Sequence, residues 1–154
     1  MKKALVYKKL SGNKVRCQVC QRQCVIADGQ AGFCLTLLNQ KGKLYTLNYG
    51  VLTGLQVDPI EKKPLYHFHP GEMVPSIGSY GCNFRCKQCL NWGHSWGEPA
   101  TSILKKLTQG KSQPTLPPQK LIKKIKQAGH HGLAFTYNEP IIWAEYVLDA
   151  AKLA

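Results

Sequence analysis

No apolar run in this sequence approaches the roughly 20 residues that a helix needs to cross a bilayer, which excludes an integral helical membrane protein. Met1 to Leu10 alternates lysines with apolar residues and does not read as a secretory leader. Seven cysteines without an export signal read as reduced thiols and metal ligands rather than disulfides, and the expected compartment is the cytoplasm. Acidic residues are scarce, 8 against 21 basic ones, for a net charge of +13. That imbalance suits an anionic partner such as nucleic acid, or a basic surface with no specific partner. Lys120, Lys123, Lys124 and Lys126 fall on what reads as the solvated face of one helix, and no aromatic residues interleave them. With 44% hydrophobic residues in 154, the chain has ample material for a core.

The stretch that carries chemistry runs from Tyr80 to Trp92 and holds Cys82, Cys86 and Cys89 in the spacing C-x3-C-x2-C. One loop can turn three such sulfurs onto a single metal centre and leave a fourth position without a local ligand. Two readings stand side by side. His94 follows Cys89 closely enough to close a Cys3His zinc site, the composition of a nucleic-acid-binding finger, which the basic charge would suit. Alternatively the three thiols hold a four-iron, four-sulfur cluster whose remaining iron takes an exchangeable ligand. Met73 to Ser79, short and largely apolar, reads as a buried strand whose carboxyl end presents the loop, as α/β folds present their sites.

Residues 1–55 read as a separate Cys-rich β unit. Cys17, Cys20, Cys24 and Cys34 form a closed set of four thiols, suited to structural zinc or an iron–sulfur cluster. Phe33 to Leu38 and Leu44 to Val51, joined by Asn39-Gln40-Lys41-Gly42, predict a β-hairpin. Residues 56–72, with three prolines, read as an extended connector in which His67 and His69 are polar surface residues. From 73 to 154 the pattern is strand, helix, strand, helix. His94 to Thr115 supports at most one brief helix. Pro117 to Gly129 predicts a clear helix with Leu121, Ile122, Ile125 and Ala128 on one face. Gly132 to Tyr137 predicts a parallel strand covered on both faces, ending in Asn138-Glu139-Pro140, with His130 and His131 in the preceding turn. A last helix places Ile141, Ile142, Val147, Leu148 and Ala151 on its apolar face. Two parallel strands are too little sheet to bury both sets of helices, so a truncated protein is expected.

The segment Gly81 to Trp92 resembles the cluster loop of radical S-adenosylmethionine enzymes, particularly those similar to pyruvate formate-lyase activating enzyme. The four-cysteine unit, Asp58-Pro59-Ile60-Glu61-Lys62-Lys63-Pro64-Leu65-Tyr66-His67-Phe68, the loop and Thr136-Tyr137-Asn138-Glu139-Pro140 follow the order seen in the radical enzyme group of the AmmeMemoRadiSam system. The resemblance implies the N-terminal part of a partial (β/α) barrel. It implies a 4Fe–4S cluster on Cys82, Cys86 and Cys89, and S-adenosylmethionine cleaved to a 5′-deoxyadenosyl radical that takes hydrogen from a substrate, a protein among the candidates, which the sequence does not identify. It further implies an electron donor such as flavodoxin or ferredoxin. Asn138 and Glu139 stand where relatives carry Gly-Gly-Glu against the methionine amine, so Asn is a departure. Gln88 stands where many relatives place an aromatic residue near the adenine.

Overall fold

The computed structural model describes all 154 residues, in a mixed α/β arrangement of three small sheets with no closed barrel. The first sheet orders β1 (Lys2–Lys3), β6 (Lys43–Thr46) and β5 (Leu37–Gln40). Its β5–β6 hairpin turns on two residues, not four. Lys41 and Gly42 both take positive φ, 51° and 74°, the combination that lets a two-residue turn follow the right-handed strand twist. The second sheet orders β2 (Tyr7–Lys9), β3 (Val15–Cys17) and β4 (Val25–Ile26).

The third sheet positions the site. It pairs β7 (Leu52–Pro59) antiparallel with β8 (Met73–Ser79), and β8 parallel with β9 (Ala134–Phe135). β8 is buried from Val74 to Ser79, as its apolar run predicts. The boundary expected at residue 55 falls inside β7, and the stretch read as a connector begins as strand. β7 escapes a periodicity reading because it is an exposed edge, with Leu55 and Val57 in solvent and Gly54 and Pro59 within it. After it, Ile60–Lys62 makes a single 3-10 turn. Here the carboxylate of Asp58 meets Lys62 at 2.6 Å and Lys63 at 3.7 Å, and the Glu61 carboxylate accepts the Gly71 N–H at 2.6 Å. His67 and His69 are exposed.

Two helices, not one, follow the cysteine loop: α1 (Trp92–Ser95) and α2 (Ala100–Thr108). Ala100 and Leu104 anchor α2, which the polar composition around it had obscured. α3 (Pro118–Gln127) has proline in its first turn and buries Leu121, Ile122 and Ile125, with Lys120, Lys123, Lys124 and Lys126 exposed opposite. Ala128 lies outside that face and is exposed. β9 is shorter than its apolar run and only half-buried, because it pairs on one side alone. A 3-10 turn, Pro140–Trp143, leads into α4 (Ala144–Ala151), whose buried residues are Glu145, Tyr146 and Ala150. Leu148 and Ala151 are exposed, since the turn ahead of the helix shifts its buried face onto Trp143 and Tyr146.

One core of 15 buried residues joins Ala4, Val15 and Leu44 to Ile77, Ile122 and Trp143, so the Cys-rich unit shares its interior with the C-terminal helices. No helix is long and apolar enough to cross a membrane.

A polar tie closes the molecule from the other side. The Asp149 carboxylate accepts hydrogen bonds from the Lys2 ammonium and the Tyr49 hydroxyl, joining β1 to α4. Lys2 first, and Tyr49 second, hold this carboxyl below the usual carboxylate range. A carboxyl depressed in the folded state stabilises above its unfolded value, near 3.9, and that contribution is lost as pH falls through the lower folded value. Asp149→Asn is expected to cost about 1 kcal/mol or less near neutrality, because both partners are partly exposed. Urea titrations should show the difference from wild type shrinking as pH falls through the lowered Asp149 value.

Candidate metal centre

Four of the seven thiols are brought together by β3, the β3–β4 turn and the segment before β5. β3 delivers Cys17, whose N–H donates to the Cys24 carbonyl at 2.9 Å. Gln23 takes φ 43° and donates to the Cys20 carbonyl at 3.1 Å, folding Cys20 and Cys24 back toward Cys17. Cys34 arrives through a turn in which Leu35 takes φ 65° and donates to the Gly32 carbonyl at 2.8 Å. A Cβ on Gly32 would lie 3.1 Å from the Ile26 side chain, a tight contact that Ile26 would have to shift to relieve.

Cys17, Cys20, Cys24 and Cys34 line one cavity of about 10 Å³, walled by Ile26 and Ile142. That is room for about one water. Burial first, and then the neighbouring thiols of Cys34, Cys20 and Cys24, push the Cys17 thiol up to about 11. Burial also raises Cys34, against a 3.2 Å contact of its sulfur with the Thr36 hydroxyl. An anionic thiolate is therefore disfavoured in this cavity unless a positive charge lies beside it. As positioned, no three His, Cys, Asp or Glu side chains in the molecule converge closely enough to grip an ion.

The other three thiols leave the carboxyl end of β8. Cys82 is buried, Cys89 half-buried and Cys86 exposed. A turn links the last two, Cys89 N–H to the Cys86 carbonyl at 3.2 Å. The Phe84 N–H points at the Cys82 sulfur from 3.5 Å. Gly81, at φ 96°, passes so close to the Cys-rich unit that a Cβ would lie 2.7 Å from the Cys34 carbonyl oxygen and overlap the Thr36 methyl group. The two thiol groups are thus adjacent, and Asn83 of the loop lines the four-thiol cavity. The Asn83 Oδ1, His94 Nδ1 and Trp96 Nε1 atoms are buried around this loop without hydrogen-bond partners.

His94 does not share a cavity with the thiols. It lines one with Thr53, Gly54, Gln56, Asn91 and Tyr137, its ring 6.0 Å from Tyr80. Asn138 is engaged in holding the loop: its amide donates to the Gly81 carbonyl at 2.7 Å and its Oδ1 accepts the Ser79 N–H at 3.3 Å. Tyr137 before it takes φ 69°, a left-handed conformation costly for an aromatic residue, and thereby turns Asn138 and Glu139 onto the end of the sheet. Glu139 is half-buried with no side-chain hydrogen bond, and Gln88 is exposed on the loop. A cavity of about 680 Å³ opens near Val74 at the other end of β8 and is lined by no cysteine.

Sequence reasoning missed Asn48, Arg22 and Arg85, which tie the loop to the rest, and Thr36, which ties the segment beneath it to Ile142. Arg22 lies 61 residues from the carbonyl it binds, a separation no local pattern reveals.

Comparison with known proteins yields one informative match. The chain is 38% identical over 154 residues to an uncharacterized protein of Methanocaldococcus jannaschii, covering all of this chain and 44% of that protein. The chain therefore spans less than half the length of the curated relative it matches. No protein-family model matches it, and no solved structure does.

Proposed function

We propose that this chain carries the cluster-binding part of a radical S-adenosylmethionine enzyme, with β8 and β9 as two strands of a partial (β/α) barrel. The observation that carries this reading is the launch of Cys82, Cys86 and Cys89 from the carboxyl end of buried β8, beside the end of parallel β9 that presents Asn138 and Glu139. In open α/β sheets this is where ligands bind. When bound, a 4Fe–4S cluster and S-adenosylmethionine supply reductive carbon–sulfur cleavage, giving a 5′-deoxyadenosyl radical that takes hydrogen from a substrate. The protein's own part is to present three thiols, to fix the loop, and to offer the free Glu139 carboxylate and the Asn138–Glu139 backbone toward the methionine amine.

Zinc at Cys17, Cys20, Cys24 and Cys34 completes the reading, supported by the four thiols that line one small cavity. Seven free thiols suit the reducing cytoplasm. An electron donor such as flavodoxin or ferredoxin is required by the chemistry. A nucleic-acid-binding zinc protein is less well supported, because His94 lines a cavity without cysteines.

Anaerobic reconstitution tests the reading. Iron and sulfide should each assay at about four per loop, and Ala at Cys82, Cys86 and Cys89 should remove them while sparing zinc. Reductant and S-adenosylmethionine should then yield 5′-deoxyadenosine by chromatography. Stoichiometric zinc in the loop with no iron would sink the assignment.

A further inference from the structure

Between β7 and β8 the chain makes an excursion, residues 60–72, whose two ends are pinned together by the Ile60 N–H on the Glu72 carbonyl at 2.9 Å. Compact surface loops with closed ends often carry function. This one is folded from within. The Glu61 carboxylate accepts the Gly71 N–H at 2.6 Å, and His69, at φ 47°, turns the chain back so that its carbonyl accepts the Glu72 N–H at 3.1 Å. The excursion walls the cavity of about 680 Å³, and the starts of β8 and β9 form its floor, where Val74 and Ala134 share one face of the sheet by register. That volume lies within the range of small-molecule sites.

The cavity joins two chemistries. One is a cation with unused hydrogen-bonding capacity. Lys63 leaves only 16% of its side chain exposed and lines the cavity, yet its ammonium makes no hydrogen bond. Its nearest carboxylate, Asp58, stands 3.7 Å away and already holds Lys62 at 2.6 Å, so one carboxylate serves two ammonium groups. The Tyr137 ring adds a cation–π contact at 5.7 Å. The other acids of the excursion are engaged elsewhere, Glu61 with Gly71 and Glu72 at 3.6 Å from His69 Nδ1. A largely buried ammonium with three donors and no acceptor of its own is costly unless an anion meets it. The other chemistry is apolar. Val74, Leu133 and Phe135 line the cavity, and so do Leu65 and Phe68, which remain 45% and 59% exposed. Large apolar side chains left in water beside a cavity mark a surface that a ligand covers.

We propose that this cavity binds a small amphiphilic anion, a carboxylate or phosphate carried on an apolar body. The anionic group meets Lys63 and Lys62, and the body lies against Leu133, Phe135 and Phe68. Such a group brings the acceptor oxygens that Asp58, engaged with Lys62, does not give Lys63. The site lies at the other end of β8 from the thiols and needs no metal at either thiol group.

The test uses the 154-residue chain and the fluorescent dye 8-anilinonaphthalene-1-sulfonate, itself an anion on an aromatic body, displaced in turn by octanoate, octyl phosphate, 1-octanol and inorganic phosphate. Octanoate or octyl phosphate should displace the dye at about tenfold lower concentration than octanol, and inorganic phosphate should not displace it. The better of the two octyl anions identifies the headgroup. Hexanoate should compete about tenfold less well than octanoate, the effect of two buried methylenes. Lys63→Gln should weaken the octyl anions by about tenfold and leave octanol unchanged. Phe68→Ser, at an exposed position that the fold does not depend on, should weaken all three octyl compounds together. Lys120→Gln, exposed on α3, should change nothing. Wild-type affinity for the octyl anions in Lys63→Gln or in Phe68→Ser would overturn the proposal, as would failure of both anions to displace the dye. Octanol competing as well as octanoate would overturn it too, and would assign the cavity to an apolar chain segment instead.

Discussion

Gly81→Ala is expected to destabilise the protein by about 3–5 kcal/mol, combining left-handed backbone strain with overpacking. Its φ of 96° already disfavours any side chain. The added methyl group would also meet the Cys34 carbonyl and the Thr36 methyl group, both in a buried segment. Neither neighbour can retreat cheaply: Thr36 Oγ1 donates to the Ile142 carbonyl at 2.9 Å, and the Thr36 carbonyl accepts the Leu47 N–H at 2.8 Å. The loop must therefore lift from the Cys-rich unit, taking Cys82 with it. Denaturant titration should show the stability loss, and reconstituted protein should hold under half the wild-type iron. A variant with wild-type midpoint and full iron would show that the two thiol groups do not need their close contact.

The second large effect is expected from Trp143→Ala. Trp143 is fully buried, stacked on Tyr146 at 15° with centroids 5.5 Å apart, and edge-on to Phe135 at 5.5 Å. Removing so large a core side chain leaves a cavity worth about 3–5 kcal/mol. A thermal midpoint lower by on the order of 10 °C follows from the usual entropy of unfolding for a chain of this size. Function should suffer as well, because Ile142, the preceding residue, both walls the four-thiol cavity and accepts the Thr36 hydroxyl. Zinc retention measured against a colorimetric chelator should fall in parallel with stability. Trp143→Phe, which keeps an aromatic ring against Tyr146, should recover most of both. If Trp143→Ala unfolds at the wild-type temperature, the shared core is not what unites the chain.

What the sequence makes legible here is local. β8 and α3 follow from a short apolar run and a 3.6-residue stripe, and the β5–β6 hairpin from its Gly-containing loop, though not the turn's two-residue length. β7 is not legible, because its partner lies beyond the Asp58 to Gly71 excursion and its own side chains remain in solvent. α2 is the brief helix allowed between His94 and Thr115, but its bounds are not legible because a proline start brings no capping side chain. The thiols announce themselves by spacing, since ligands from one loop must be near in sequence. Their supports do not: Thr36 reaches Ile142 across 106 residues, and a single arginine among polar neighbours carries no mark of the carbonyl it will bind. Asn138 illustrates the limit from the other side. Family resemblance assigns its position to the cofactor, whereas the side-chain amide is spent on Gly81 and Ser79, leaving the backbone and Glu139 to face a ligand.

The shared core also imposes an order of events on biosynthesis. Cys17, Cys20, Cys24 and Cys34 leave the ribosome early, but Ile142, one wall of their cavity, is translated 106 residues after Thr36, a delay of roughly 5–20 s at ordinary elongation rates. During that interval the nascent thiols are uncovered, and the wall that Ile142 supplies closes over them only after the C-terminal segment has been made.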